Sequence, residues 1–248
     1  MRRDGSDMKK KSALFARFSE QMPTNMAVIG KGMKLAADKF GDQPGDIKKN
    51  FSGYVVKSHD EVYRIYQDNE KDAGEKVIAQ FVKENVGKPF FRELDSFFLS
   101  LRQSRKARAG RAFQEIIKVL FKRLNYPFDE NRVINGKPDF VMPSEDHFRK
   151  DPVDCVVFAI KRTLRERWRE IVAEGAKTAR FFLATMDEDL TETMLKDAHD
   201  RKIYVVVPKQ LKSDIDHYRT GRNVISFEDF FEDHLDSAMK RWKKREII

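Results

Sequence analysis

The segment VDCVVFAIK, Val153–Lys161, limits what this chain can fold into more than any other stretch. Apart from Asp154 and the closing lysine it is apolar without alternation. A run this short and this uniform fits a strand covered on both faces, the kind found inside sheets that carry helices on either side. Two further segments, RFFLATM (180–186) and KIYVVVPK (202–209), have the same character. Between and around them LRERWREIVAEGAKTA (164–179) and TETMLKDAHDR (191–201) carry a helical rhythm, and the closing stretch from Ile225 onward is helical as well. Alternation of strand and helix predicts an α/β fold with a mixed central sheet flanked by helices over residues 104–248. In NRVINGKPDFVMPS (131–144) the sequence predicts a strand pair around a turn at Asn135-Gly136.

Residues 1–103 have a different texture and read as a mainly helical N-terminal region, a separate unit or part of the same domain. Short helical patches occur at SALFARFSEQM (12–22) and GKGMKLAADKF (30–40), and GDQPGD after them is a turn or linker. A longer helical rhythm runs through Val62, Ile65, Tyr66, Val77, Ile78, Phe81 and Val82, and then through Phe90, Phe91, Leu94, Phe97, Phe98 and Leu101. Near residue 104 the pattern changes. RAGRAFQEIIKVLFKRL (108–124) is an amphipathic helix with Phe113, Ile116, Ile117, Leu120, Phe121 and Leu124 on one side.

Charge points to a polyanionic partner. The chain of 248 residues carries 49 Lys and Arg against 40 Asp and Glu, a formal +9. Its one cysteine, Cys155, excludes an internal disulfide and a Cys-rich zinc site, and is expected in the core. No apolar stretch approaches the length of a membrane span, and the N-terminus lacks the apolar segment of a signal peptide, so a cytoplasmic protein is expected. The five histidines are dispersed, without metal-ligand spacing, and His147 is expected at the surface.

Three ionisable residues fall where the expected topology gathers them. Asp139 stands at the start of a strand in GKPDF, Lys161 closes the apolar strand, and Glu174 lies on the following helix in VAEGAK. A hairpin-like return brings Asp139 beside the end of the Lys161 strand. Two carboxylates and the main-chain carbonyl of Ile160 supply the hard oxygens that Mg²⁺ takes. A lysine beside them offsets charge at a scissile phosphate, which is what phosphodiester hydrolysis requires.

GKPDF, then FAIK, then the downstream glutamate resemble the PD-(D/E)xK nuclease pattern. Ala159 fills the usual second acidic slot and cannot ligate a metal, so Glu174 takes that role. This displaced arrangement is similar to that of type II restriction endonucleases of the EcoRII, PspGI and NgoMIV group, which read CC and GG half-sites. SRKARAG (104–110), PDFVMPS and KRTLRERWREI share the likeness, which covers about residues 104–208. It implies a restriction-endonuclease-like fold, Mg²⁺ as cofactor, double-stranded DNA as substrate and a homodimer or tetramer. A cognate DNA methyltransferase would act on the same site. It further implies that Arg165, Glu166 and Arg167 enter the major groove. Arginine can donate two hydrogen bonds to one guanine and glutamate can accept from cytosine amino groups, so the three suit adjacent G·C pairs.

The resemblance also offers Arg105, Lys106, Arg108 and Arg162 as contacts to the DNA backbone. Gln114 occupies the place where the related helix carries a glutamate, with Glu115 next to it, as accessory residues. Members that read CCNGG flip the central bases, for which Tyr63, Tyr66, Phe90 and Phe91 are candidates. Two rival readings are a repair or junction-resolving nuclease with the same acid–lysine–acid set, and a basic DNA-binding protein without cleavage activity.

Overall fold

The computed structural model describes residues 12–130, 138–164, 168 and 180–248. Its centre is a six-stranded sheet in the order β1 (Asp129–Glu130), β2 (Phe140–Met142), β3 (Val156–Ile160), β4 (Phe181–Ala184), β5 (Ile203–Val207) and β6 (Val224–Ser226). The first three strands pair antiparallel and the rest parallel, so the sheet is mixed, as expected. Every residue of β2, β3 and β4 is buried, and the pleat sends alternate side chains to two cores. Phe140, Met142, Val156, Phe158, Ile160, Phe182 and Ala184 enter one. Val141, Val157, Ala159, Phe181 and Leu183 enter the other. This two-sided burial is why β3 shows no polar alternation.

Among the described residues five helices precede the sheet: α1 (Ala13–Gln21), α2 (Asn25–Phe40), α3 (Pro44–Lys49), α4 (Phe51–Glu84) and α5 (Phe91–Arg123). The expected GDQPGD turn is shorter than its composition suggests, because Pro44 takes the first position of α3, where a missing N–H costs nothing. Helix α5 runs unbroken through residue 104. Its first half buries Phe97 and Leu101 against Leu14 and Phe18 of α1. Its second half buries Phe113, Ile116, Ile117, Leu120 and Phe121 in the first sheet core, together with Phe51, Tyr54, Val55 and Val62 of α4. The texture change near residue 104 is therefore a change of packing partner within one helix, and α4 shares the sheet's core.

Close approach between α2 and α4 depends on Gly32. A Cβ there would lie 2.7 Å from Val62 Cγ2 and 2.8 Å from the Ser58 carbonyl oxygen. We expect Gly32→Ala to cost about 1–3 kcal/mol, since the backbone oxygen cannot yield as a side chain can. A lowered urea midpoint with an unchanged slope would show it; an unchanged midpoint would mean that the helices separate freely.

The other face of the sheet carries α6 (Glu145–Lys150), a 3₁₀ turn at Pro152–Asp154, α7 (Glu192–Asp200), α8 (Lys209–Asp214) and α9 (Asp216–Thr220). Ile225 and Ser226 belong to β6, so the closing helical region starts later than expected, with α10 (Phe227–Asp229). Ser226 caps it: its hydroxyl accepts from Asp229 N–H and the Asp229 carboxylate accepts from the Ser226 N–H, which fixes the switch from strand to helix. A π-helical stretch (Phe230–Leu235) and α11 (Asp236–Lys244) follow. Among the described residues no helix is long and apolar enough to cross a membrane. The expected turn at Asn135-Gly136, and the helix over 164–179 save for Leu164 and Trp168, lie outside the described residues.

Candidate active site

The antiparallel register of β2 and β3 sets Phe140 opposite Phe158, so one step back along the chain brings Asp139 to the end of β3. There Asp139, 6% exposed, is met by three donors. Oδ1 accepts from Gln114 Nε2 of α5 at 2.9 Å. Oδ2 accepts from the Ile160 N–H at 2.6 Å and from Lys161 Nζ at 3.0 Å. Burying a carboxyl group is costly unless such partners satisfy it, and these three also fix its orientation. Lys161 is positioned in turn by the sheet, its N–H donating to the Ala184 carbonyl at 3.0 Å.

An open cleft begins at this point. One wall is a stripe of α5, Gln103, Lys106, Ala107, Gly110 and Gln114; the other is Ile160, Lys161, Arg162 and Thr163. Spacings of three and four residues put the first set on one face of the helix. The small side chains of Ala107 and Gly110 keep the cleft open beside the lysine. A carboxyl group, a main-chain carbonyl and an ammonium at the mouth of such a cleft can bind a hard cation and a phosphate side by side. Glu174 and the Arg165, Glu166 and Arg167 set lie outside the described residues.

Other expected residues are distributed unevenly. Lys106 lines the cleft; Arg162 does so too and donates through Nε to His59 Nε2 at 3.2 Å. Arg105 and Arg108 converge on Glu70, a buried side chain of α4: Arg105 Nε donates to Glu70 Oε2 at 2.6 Å and Arg108 pairs with Oε1. Arg108 also lies over the Tyr66 ring. Glu115 points away from Asp139 and pairs with Lys118 at 3.1 Å. Gln114 thus reaches the carboxyl group, and its neighbour does not.

His59 and Glu70 escaped the sequence reading, because their partners come from distant parts of the chain. Burial, with Arg162 beside it, pushes His59 down to about 4, so its ring is neutral near pH 7 and accepts from the guanidinium. His59, Val62, Tyr63, Tyr66, Arg105 and Arg108 line a second, mainly apolar pocket next to the cleft. Phe90 and Phe91 do not line it: Phe90 packs on Phe81, and Phe91 is 79% exposed.

His147 is buried, contrary to expectation, with Nε2 3.1 Å from Asp154 Oδ2. Ligand atoms of His147, Asp151 and Asp154 lie within 4.8 Å of one another, so this set could gather round a cation. Asp154, however, already accepts from Arg241 and Arg245, and it sits at the opposite end of β3 from Lys161. The arrangement is an ion-pair network that ties α11 to the sheet. Cys155 is buried as expected, and burial pushes its thiol up to about 12, which leaves it inert.

Comparison with known proteins gives the family. Residues 74–231 match the model of the EcoRII C-terminal family. The type II restriction enzyme SsoII of Shigella sonnei is 24% identical over 77% of this chain and 70% of its own length. The type II restriction enzyme EcoRII of Escherichia coli is 29% identical over 49% of this chain and 32% of its own. Among solved structures, metal-depleted Ecl18kI in complex with uncleaved DNA superposes with a TM-score of 0.75 at 23% identity, covering 95% of this chain and 86% of that one. A complex of restriction endonuclease PspGI with substrate DNA gives 0.70 at 22% identity, covering 90% and 96%. With the family matched over more than half its length, the chain belongs to the EcoRII C-terminal family and is a type II restriction endonuclease, a site-specific nuclease.

Proposed function

We propose that the enzyme is a Mg²⁺-dependent homodimer that cuts double-stranded DNA at a short palindrome containing CC and GG, of the CCGG, CCNGG or CCWGG type. The observation that carries this reading is the Asp139–Lys161 pair at the mouth of the cleft. Asp139 and the Ile160 carbonyl, with Glu174, would hold the cation; all are hard oxygen donors and suit Mg²⁺. When bound, the ion supplies positive charge to the phosphate and lowers the pKa of a water. Lys161 carries its ammonium to the cleft and offsets charge as the phosphate passes through the transition state. Gln114 keeps the Asp139 carboxyl group in orientation. A metal-depleted complex with uncleaved DNA, as described for Ecl18kI, is in line with metal dependence.

Arg165, Glu166 and Arg167 read the G·C pairs, and twofold symmetry repeats the reading on the other half-site. Backbone phosphates fall to Lys106 and Arg162 at the cleft. Arg105 and Arg108 have much of their charge offset by Glu70, so they serve the phosphates less and the pocket more. Should the target contain a central base, the pocket where Tyr63 and Tyr66 stand beside Glu70, Arg105 and Arg108 would receive it flipped only after widening, with the two rings offering faces for the base to stack on. Residues 1–103 serve DNA contacts or dimerisation as part of the same domain as the nuclease core of residues 104–248, since α4 packs into the sheet's core, and a methyltransferase protects the same sequence in the host.

Digestion of unmethylated plasmid with and without Mg²⁺, with sequencing of the fragment ends, tests the reading. Discrete ends sharing a CC and GG palindrome are expected with the metal only. Random ends would discard the base-reading assignment, and cutting without divalent metal would discard the metal assignment.

A further inference from the structure

Two described residues bracket Arg165, Glu166 and Arg167, and each is held from elsewhere in the fold. Before them, Leu164 is fully buried, and its N–H donates to Asp187 Oδ2 at 2.6 Å. Two residues earlier the Arg162 carbonyl accepts from the Thr185 hydroxyl at 3.2 Å. With the Lys161 N–H on the Ala184 carbonyl, the chain leaving β3 is caught three times by the chain leaving β4. After them, the Trp168 indole N–H donates to Asp197 Oδ2 of α7 at 3.2 Å.

Asp187 is itself fixed on several sides. Its N–H donates to Thr185 Oγ1 at 3.1 Å, and Oδ1 accepts from the Asp189 N–H at 3.1 Å. Its carbonyl accepts from the Tyr218 hydroxyl at 2.7 Å, and that hydroxyl oxygen accepts from Leu190 N–H at 3.1 Å. The Asp187 side chain is buried within this set. An acidic side chain enclosed this way costs more than an apolar one would, so packing alone does not account for it. What it does provide is a fixed point for one main-chain amide next to Arg165.

We infer that Asp187, with Asp197 at the far end, is a positioning residue for base recognition. The inference rests on the reading of Arg165, Glu166 and Arg167 as base readers. Bidentate hydrogen bonds to base edges tolerate about 0.5 Å of misplacement. The two aspartates hold Leu164 and Trp168, the described residues on either side of the readers, to the chain leaving β4 and to α7. Neither bonds to Asp139 or Lys161, so they act on selectivity and leave the bond-breaking groups in place.

The test uses the full chain with Mg²⁺ and a DNA library carrying CC and GG palindromes with each position varied singly. Asp187→Ala is expected to narrow the ratio of cognate to single-variant cleavage by about tenfold, the size of one bidentate contact. Asp187→Asn, which keeps an acceptor for Leu164, is expected to restore most of the ratio. Asp197→Ala and Trp168→Phe should narrow it as well, and both decide the matter if Asp187→Ala does not fold. Wild-type selectivity in the folded aspartate and tryptophan variants, alongside lost selectivity in Arg165→Ala, would overturn the inference and leave the base readers standing. Unchanged selectivity in Arg165→Ala would remove the base readers themselves.

Discussion

Alanine in place of Lys161 is expected to lower the cleavage rate by about 10²–10³-fold, the usual cost of removing one group that stabilises transition-state charge, while sequence-specific binding persists. Lys161 Nζ is held 3.0 Å from Asp139 and reaches the cleft, whereas the readers proposed for the bases begin four residues later. Removing the ammonium leaves Asp139 with its bonds to Gln114 and the Ile160 N–H, so the carboxyl group keeps its place. Binding measured by gel shift in Ca²⁺, set against cleavage measured in Mg²⁺, separates the two roles. A variant that cuts as fast as the wild type would remove Lys161 from the chemistry. A variant that neither binds nor cuts would assign the lysine to DNA affinity instead.

Much of this site could be read from the chain because its main parts sit on or beside strands. An apolar run that ends in lysine, and an acid that opens the preceding strand, need only an antiparallel pairing to meet, and β2 and β3 pair that way. Contacts made from far along the chain were not legible. Glu70 takes Arg105 and Arg108 from a neighbouring helix, and nothing local to SRKARAG announces it. His59 reaches Arg162 across 103 residues, and Asp187 reaches Leu164 across 23. Helix α5 misled for a related reason: its apolar stripe changes partners near residue 104 while the backbone hydrogen bonding runs on. Periodicity reports which side of a helix is covered, and it is silent on what covers it.

The same blindness concealed the surroundings of His147 and Asp154, a pair tied to arginines of the C-terminal region around α11. Asp154→Ala is expected to cost about 3 kcal/mol, the lower end of what breaking a buried ion pair costs. The lower end applies because the Arg241 and Arg245 side chains are 33% and 48% exposed and can turn to water once freed. His147 is nearly enclosed and cannot do so easily. The Trp242 indole bond to the Asp154 carbonyl, 3.1 Å, survives the change and keeps α11 docked, so unfolding stays cooperative. Burial pushes the Asp154 carboxyl up, but hydrogen bonds from Arg241 and His147, with the two guanidinium charges, outweigh this and hold it below its ordinary value. A folded pKa below the unfolded one means stability that is present above about pH 4 and lost as pH falls through the folded value. Urea unfolding of wild type and variant should therefore show a gap at pH 7 that closes in acid. A gap that persisted in strong acid would assign the loss to packing instead of charge. Chelator should move the two midpoints alike, because the arginines already occupy the oxygens that a cation between His147, Asp151 and Asp154 would need; a midpoint that drops with chelator in the wild type and not in the variant would put a metal there.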